Sequence, residues 1–155
     1  MEYATIEREI YVEAAPEIVF DVVSSPEHVQ EWWPDEAHYE ARPGARGDLV
    51  FGEHGEEGSP LVVAFDVLEV EPPHTFSFRW THPHGEQPVT GNSLLVTFAL
   101  EPRGSGTLLR MTESGFREMG WEAAVLEQQY RDHESGWDFY LGRIAPYVEK
   151  LDVRP

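Results

Sequence analysis

The sequence predicts an α+β fold in which a curved antiparallel sheet of about six or seven strands wraps round one long C-terminal helix, with two short helices after the first strand. Three observations lead there. Apolar residues recur with a two-residue period near the start and through the middle of the chain, as in strands with one buried face. The strand-like runs are joined by short connections rich in Gly and Pro, which favours antiparallel neighbours. From about Glu122 the period lengthens to three and four, giving one broad apolar stripe on a helix.

The first strand is IEREIYV, where Ile6, Arg8, Ile10 and Val12 alternate with Glu7, Glu9 and Tyr11. AAPEIVFDVVSS then changes period: Pro16 suits a first helical turn, and Ile18, Val19, Val22 and Val23 form one stripe. Ser25 is placed to cap a second short helix with Pro26 at its first position. That helix runs through Val29 to Trp32 and Trp33, where Pro34 discourages its continuation. RPGARGDLVFGE reads as a turn feeding a strand around Leu49 to Phe51, HGEEGSP as a polar loop, and LVVAFDVLEVE as a strand ended by Pro72-Pro73. In HTFSFRWTH, Phe76, Phe78 and Trp80 share the face that meets the core, and Ser77, Arg79 and Thr81 share the other. SLLVTFAL repeats the pattern with Leu94, Val96, Phe98 and Leu100, and RGSG makes a tight connection to a last strand, TLLRMTESGF. Tyr130, His133, Trp137, Tyr140, Leu141, Ile144, Val148 and Leu151 make the helical stripe. Pro146 lacks the N–H that would bond to the Gly142 carbonyl, so a kink or break is expected there.

With no internal repeat, linker or low-complexity tract, residues 1–155 read as a single domain. The absence of cysteine excludes disulfides and thiolate chemistry. The N-terminus has neither a basic region nor an apolar core of the secretory kind, and no apolar run approaches the ~18 residues that span a bilayer, so a soluble, cytoplasmic protein is expected. Asp and Glu number 29 against 11 Lys and Arg, a formal charge of −18. Such a surface repels phosphate backbones and anionic lipid heads, which argues against nucleic acid and membrane as partners.

The stretch EWWP poses a packing question. Neighbours on a helix point about 100° apart, so Trp32 and Trp33 are not expected in one core layer. Phe51, Phe65, Phe78, Trp80, Phe98, Trp137 and Tyr140 fall on sheet or helix positions, where aromatic side chains either line an apolar pocket or fill a core. His133 is the best acid–base candidate, one turn before Trp137 on the inner stripe; Asp132 is beside it in sequence but on another face. His82-Pro83-His84 sets two imidazoles on one side of an extended segment, but spacing marks no third ligand, so no metal is implied. Arg8 shares its strand face with Ile6, Ile10 and Val12. If that face is inward, the guanidinium must meet a carboxylate or an anionic ligand group. No GxSxG, HExxH, GxxxxGK[ST] or strand-borne GxGxxG motif is present, so no catalytic residue and no cofactor is assigned.

The segments REIYVEAAPEIVFDVV, HVQEWWP, DVLEVEPPHTFSFRW, GTLLRMTESGF and SGWDFYLGRIAPYVEKL, in that order, resemble the START-like helix-grip (SRPBCC) superfamily. Within it, the chain is similar to the C-terminal domain of the activator of heat-shock-protein ATPase. The resemblance implies a helix-grip fold with a deep pocket between the sheet and the final helix. Trp32 would pack under the short helices and Trp33 would line or close the pocket mouth, so that truncating Trp33 costs less stability than truncating Trp32. The ligand-binding set is then Trp33, Phe51, Phe65, Phe78, Trp80, Phe98, Met111, His133, Trp137, Tyr140 and Arg8. The expected function is noncatalytic binding of a small apolar or aromatic molecule. The alternatives are a cyclase or hydrolase using the same cavity, and a chaperone-associated module. The last is disfavoured because no counterpart of the eukaryotic activator's separate N-terminal domain is expected here.

Overall fold

The computed structural model describes residues 3–52 and 58–152, and most of the HGEEGSP connection lies outside them. The elements in chain order are β1 (Thr5–Val12), α1 (Pro16–Ser24), α2 (Pro26–Trp32), β2 (Glu36–His38), β3 (Arg46–Phe51), β4 (Leu61–Glu71), β5 (Thr75–Trp80), β6 (Leu94–Arg103), β7 (Gly106–Ser114), a 3₁₀ turn at Arg117–Met119, α3 (Ala123–Leu141) and α4 (Ile144–Asp152). The strands form one antiparallel sheet in the order β1-β7-β6-β5-β4-β3-β2. This is the α+β architecture that the alternation of periods predicts.

Where alternation is regular, the strands bury the expected face. On β6, Leu94, Val96, Phe98 and Leu100 are buried and the intervening residues are partly exposed. β4 departs from the rule. Its pairing with β5 shifts between Val67 and Glu69, leaving Leu68 exposed in a bulge that increases local twist and helps the sheet curve. β2 is a strand the sequence pattern does not reveal, because three residues carry no period. It sits at the sheet edge against β3, where Gly47 is required: a Cβ there would collide with the His38 carbonyl oxygen.

The first two helices cover one end of the sheet. In α1 the buried stripe is turned toward Phe20, and Ile18 is exposed rather than inward, because Val19, Val22 and Val23 with Phe20 face α2 and the sheet together. Ser25 holds the N-cap position of α2, but its hydroxyl bonds to Asp21 Oδ1 at 3.1 Å instead of to a free backbone N–H. Tyr39, just past β2, donates its hydroxyl to the Ser24 carbonyl at 2.6 Å. Its burial, with a smaller contribution from the Glu27 charge, pushes the phenol well above its ordinary value.

The C-terminal helix is broken where the proline requires. α3 ends at Leu141, the chain turns through Gly142 and Arg143, and α4 resumes at Ile144. Pro146 then lies in the first turn of α4, where backbone N–H groups have no intrahelical acceptor and none is lost. Two links tie α3 to the opposite edge of the sheet. Tyr130 donates to the Thr5 carbonyl at 2.7 Å, and Arg8 binds Asp138 at 2.7 Å and Glu134 at 3.1 Å.

Candidate functional site

On β7 the inward positions are Thr107, Leu109, Met111 and Glu113, so the alternation that buries a leucine and a methionine also buries a carboxylate. Glu113 is 0% exposed. It accepts hydrogen bonds from Trp80 Nε1 at 2.8 Å on Oε2, and on Oε1 from Trp137 Nε1 at 2.8 Å and His133 Nδ1 at 2.9 Å. Indole nitrogens can only donate, so both carboxylate oxygens act as acceptors, and an ionised Glu113 requires the His133 nitrogen that faces Oε1 to carry a hydrogen. One carboxylate thereby joins β5, β7 and α3.

These groups lie beside an open cleft of about 750 Å³. One wall is the start of β4, Leu61 to Ala64, the end of β5 at Trp80, and the residues that follow it, Thr81, His82 and His84. The other is α3, through Gln129, Asp132, His133 and Tyr140. A recess of about 150 Å³ shares Phe51, Trp80, Asp132, His133 and Tyr140 with the cleft and ends on Trp33 and Trp137. Gly136 borders that recess, and a Cβ on it would meet nothing within 4 Å, so the missing side chain is part of what leaves the space open.

The two tryptophans of EWWP reach this region by different routes. Trp32 ends α2, is fully buried, and donates its indole N–H to the Val22 carbonyl at 2.9 Å. Trp33 has left the helix, with φ −119° and ψ −96°. Its ring therefore turns back and stacks on Trp32, centroids 5.9 Å apart and planes 17° from parallel. The expectation that the two indoles occupy different layers fails because only one of them is helical. Trp33 also contacts Trp80 and Trp137, each at 4.9 Å.

A second imidazole in the cleft wall is held in the same manner. His82 is 4% exposed and places Nε2 2.8 Å from Asp66 Oδ1, while Arg46 Nε lies 3.2 Å from Oδ2 of the same carboxylate. His82 Nδ1 and Thr81 Oγ1 are buried without a partner among the described residues. Thr81 has φ +67°, a left-handed conformation that breaks strand alternation and lets consecutive residues both border the cleft. His84 is exposed where His82 is buried, and both border the cleft. Among the described residues no three His, Asp or Glu side chains gather to hold a metal ion.

Of the residues expected around a ligand, Trp33, Phe51, Trp80, His133, Trp137 and Tyr140 border the cleft or its recess. Phe65, Phe78, Phe98 and Met111 do not. They are at most 1% exposed and pack into the layer beneath, with Phe65 stacked on Phe78 at 4.2 Å and Phe98 edge-on to Trp137 at 6.2 Å. A strand period distinguishes inward from outward but carries no depth, which is why these four read like wall residues. Arg8 stands apart from the cleft, and its guanidinium is taken by Asp138 and Glu134, with the Asp138 bond holding it above its ordinary value. Sequence reasoning missed Glu113 and Asp66. For Glu113 a signal exists in its parity with Leu109 and Met111. For Asp66 there is none, because Ala64, Phe65, Asp66 and Val67 are buried consecutively.

A family model for Activator of Hsp90 ATPase homolog 1-like protein matches residues 13–149. No curated protein matches the chain. Among solved structures, protein MLL2253 from Mesorhizobium loti is similar over 96% of this chain and 99% of its own, with 24% identity and a TM-score of 0.74. The Aha1 dimer from Colwellia psychrerythraea is similar over 91% of this chain and 92% of its own, at 18% identity and a TM-score of 0.68. DynU16, from the dynemicin biosynthetic locus, is 24% identical with a TM-score of 0.68; the match covers 94% of this chain but 47% of DynU16, about half of that protein. At these identities the likeness is one of fold.

Proposed function

The chain belongs to the activator of Hsp90 ATPase homolog 1-like family, and from that premise we propose that it binds a small apolar or aromatic molecule, without converting it, in the cleft between β4, β5 and α3. The observation that carries this reading is the cleft itself. Its volume suits a small ligand, its recess ends on two indoles, and two of its polar groups, His133 and His82, are held in place by buried carboxylates. Among the described residues no helix is long and apolar enough to cross a membrane.

The test is saturable binding of a neutral, environment-sensitive naphthylamine dye, with an expected dissociation constant in the micromolar range. Gly136→Leu provides the control, since Gly136 lines the recess and a Cβ there meets nothing within 4 Å. That variant should stay folded and lose most of its affinity. Binding that survives Gly136→Leu unchanged would locate the dye elsewhere, and no saturable binding would remove the carrier reading.

A second reading has an observation of its own. A buried carboxylate on Nδ1 of a histidine whose other nitrogen is open is also the arrangement that prepares a general base, which favours a cyclase or hydrolase acting in the same cleft. A chaperone partner is supported by the family description alone.

A further inference from the structure

We propose that the ligand of this cleft carries an O–H or N–H hydrogen-bond donor on a flat apolar body, and that His133, with Nδ1 turned to Glu113, receives that donor at Nε2. The inference rests on the binding reading above and specifies its chemistry.

The tautomer follows from Glu113. Its Oε1 faces both Trp137 Nε1 and His133 Nδ1, and its Oε2 faces Trp80 Nε1, so with Glu113 ionised the His133 nitrogen turned toward it brings a hydrogen. In the neutral ring the other nitrogen is then a lone pair. Nε2 of His133 has no hydrogen bond among the described residues, and it is not closed off: the buried side-chain polar atoms lacking a partner are Thr81 Oγ1 and His82 Nδ1. His133 borders both the cleft and the recess. The ring is held edge-on against Trp80 at 5.6 Å and Phe116 at 5.4 Å, so the direction of the lone pair is fixed by packing as well as by the carboxylate.

On the opposite wall His82 sets Nε2 2.8 Å from Asp66 Oδ1, and its Nδ1 is buried without a partner among the described residues. Among the described residues, the charged or titratable side chains that border the cleft are His82, His84, His133, Asp132 and Tyr140, and neither Lys nor Arg is among them. An anionic group would therefore find no Lys or Arg there, whereas a hydrogen-bond donor meets His133 Nε2. The indoles and Phe51 fit the flat body of the ligand.

The experiment compares three probes that differ in one group: naphthol, naphthylamine and methoxynaphthalene of the same substitution pattern. Equilibrium binding to the whole protein is read by fluorescence. The hydroxyl and amino probes should bind roughly five- to tenfold more tightly than the methyl ether, the worth of one added hydrogen bond. His133→Leu should bring the three affinities together. Because that substitution also strips Glu113 of a donor and can prevent folding, nitrogen NMR of the wild-type histidines provides an independent readout. The Nε2 resonance of His133 should be of the unprotonated type in the free protein and should move with naphthol but not with the ether. Equal affinities for all three probes, tighter binding of the ether, or a protonated Nε2 would overturn the inference and leave the carrier reading intact. Failure of every probe to bind would overturn both.

Discussion

Trp32 and Trp33 show how a single pair of dihedral angles decides what two identical side chains do. Continued as a helix, the chain would send the second indole about 100° away from the first. The turn at Trp33 lays it on its neighbour instead, and the pair becomes the bridge between the layer of Phe78 and Phe98 below and the recess above. Both indoles are buried, Trp32 at 0% and Trp33 at 6% exposure, so the expectation that truncating Trp33 costs little no longer follows. Each alanine substitution should cost about 3–5 kcal/mol, a large part of the stability of an ordinary domain. Trp33→Ala should in addition change dye affinity, because its ring ends the recess, while Trp32→Ala should not. Urea denaturation paired with dye titration checks this, and a loss below about 1 kcal/mol for Trp33→Ala would show that the ring is not a packing residue. The position of Trp33 could not be read from the sequence, since Pro34 announces only that the helix stops and not which way the last side chain then points.

Elements with a long, regular period were legible, and short or irregular ones were not. β5, β6 and the two segments of the final helix follow from alternation, from the three-and-four stripe and from the chemistry of Pro146. β2 is too short to show a period, and β4 mixes faces because its bulge and its buried Asp66 interrupt the alternation. The same limit applies to the site. His133 and Trp137 were placed on one face by helical spacing, but the carboxylate that joins them comes from β7, and pairing across elements has no local signature. Gly136 is the weak point that α3 accepts at this face. It lies inside the helix, not in a left-handed turn, and a methyl group there meets nothing. Gly136→Ala should therefore stabilise the fold by about 0.5–1 kcal/mol through helix propensity alone. Thermal denaturation measures it. An unchanged or lower melting temperature would mean that the glycine answers a packing demand rather than keeping the recess open.

At the scale of the whole molecule the dominant feature is the charge, and the structure indicates which electrostatic effect salt should relieve. Several arginines hold exposed carboxylates: Arg110 with Glu9, Arg131 with Glu127 at 3.0 Å, Arg103 with Glu101 at 2.6 Å. Exposed pairs of this kind contribute about 0–1 kcal/mol each, and salt weakens them. Even if every one of the 11 basic residues engaged a carboxylate, 29 − 11 = 18 acidic groups would stay unmatched. Their mutual repulsion is longer in range than any pair and opposes the compact state. The screening length falls from about 30 Å at 0.01 M salt to about 3 Å at 1 M, so the long-range repulsion is removed first and most completely. The melting temperature should consequently rise with sodium chloride between those concentrations, most steeply at the low end where the screening length drops below the size of the domain. Arg131→Gln and Arg110→Gln, which each add one unmatched carboxylate, should lower the melting temperature at low salt and match the wild type at high salt. A melting temperature that falls as salt is added would mean that the arginine pairs outweigh the repulsion, and that the acidic surface is locally compensated rather than self-repelling.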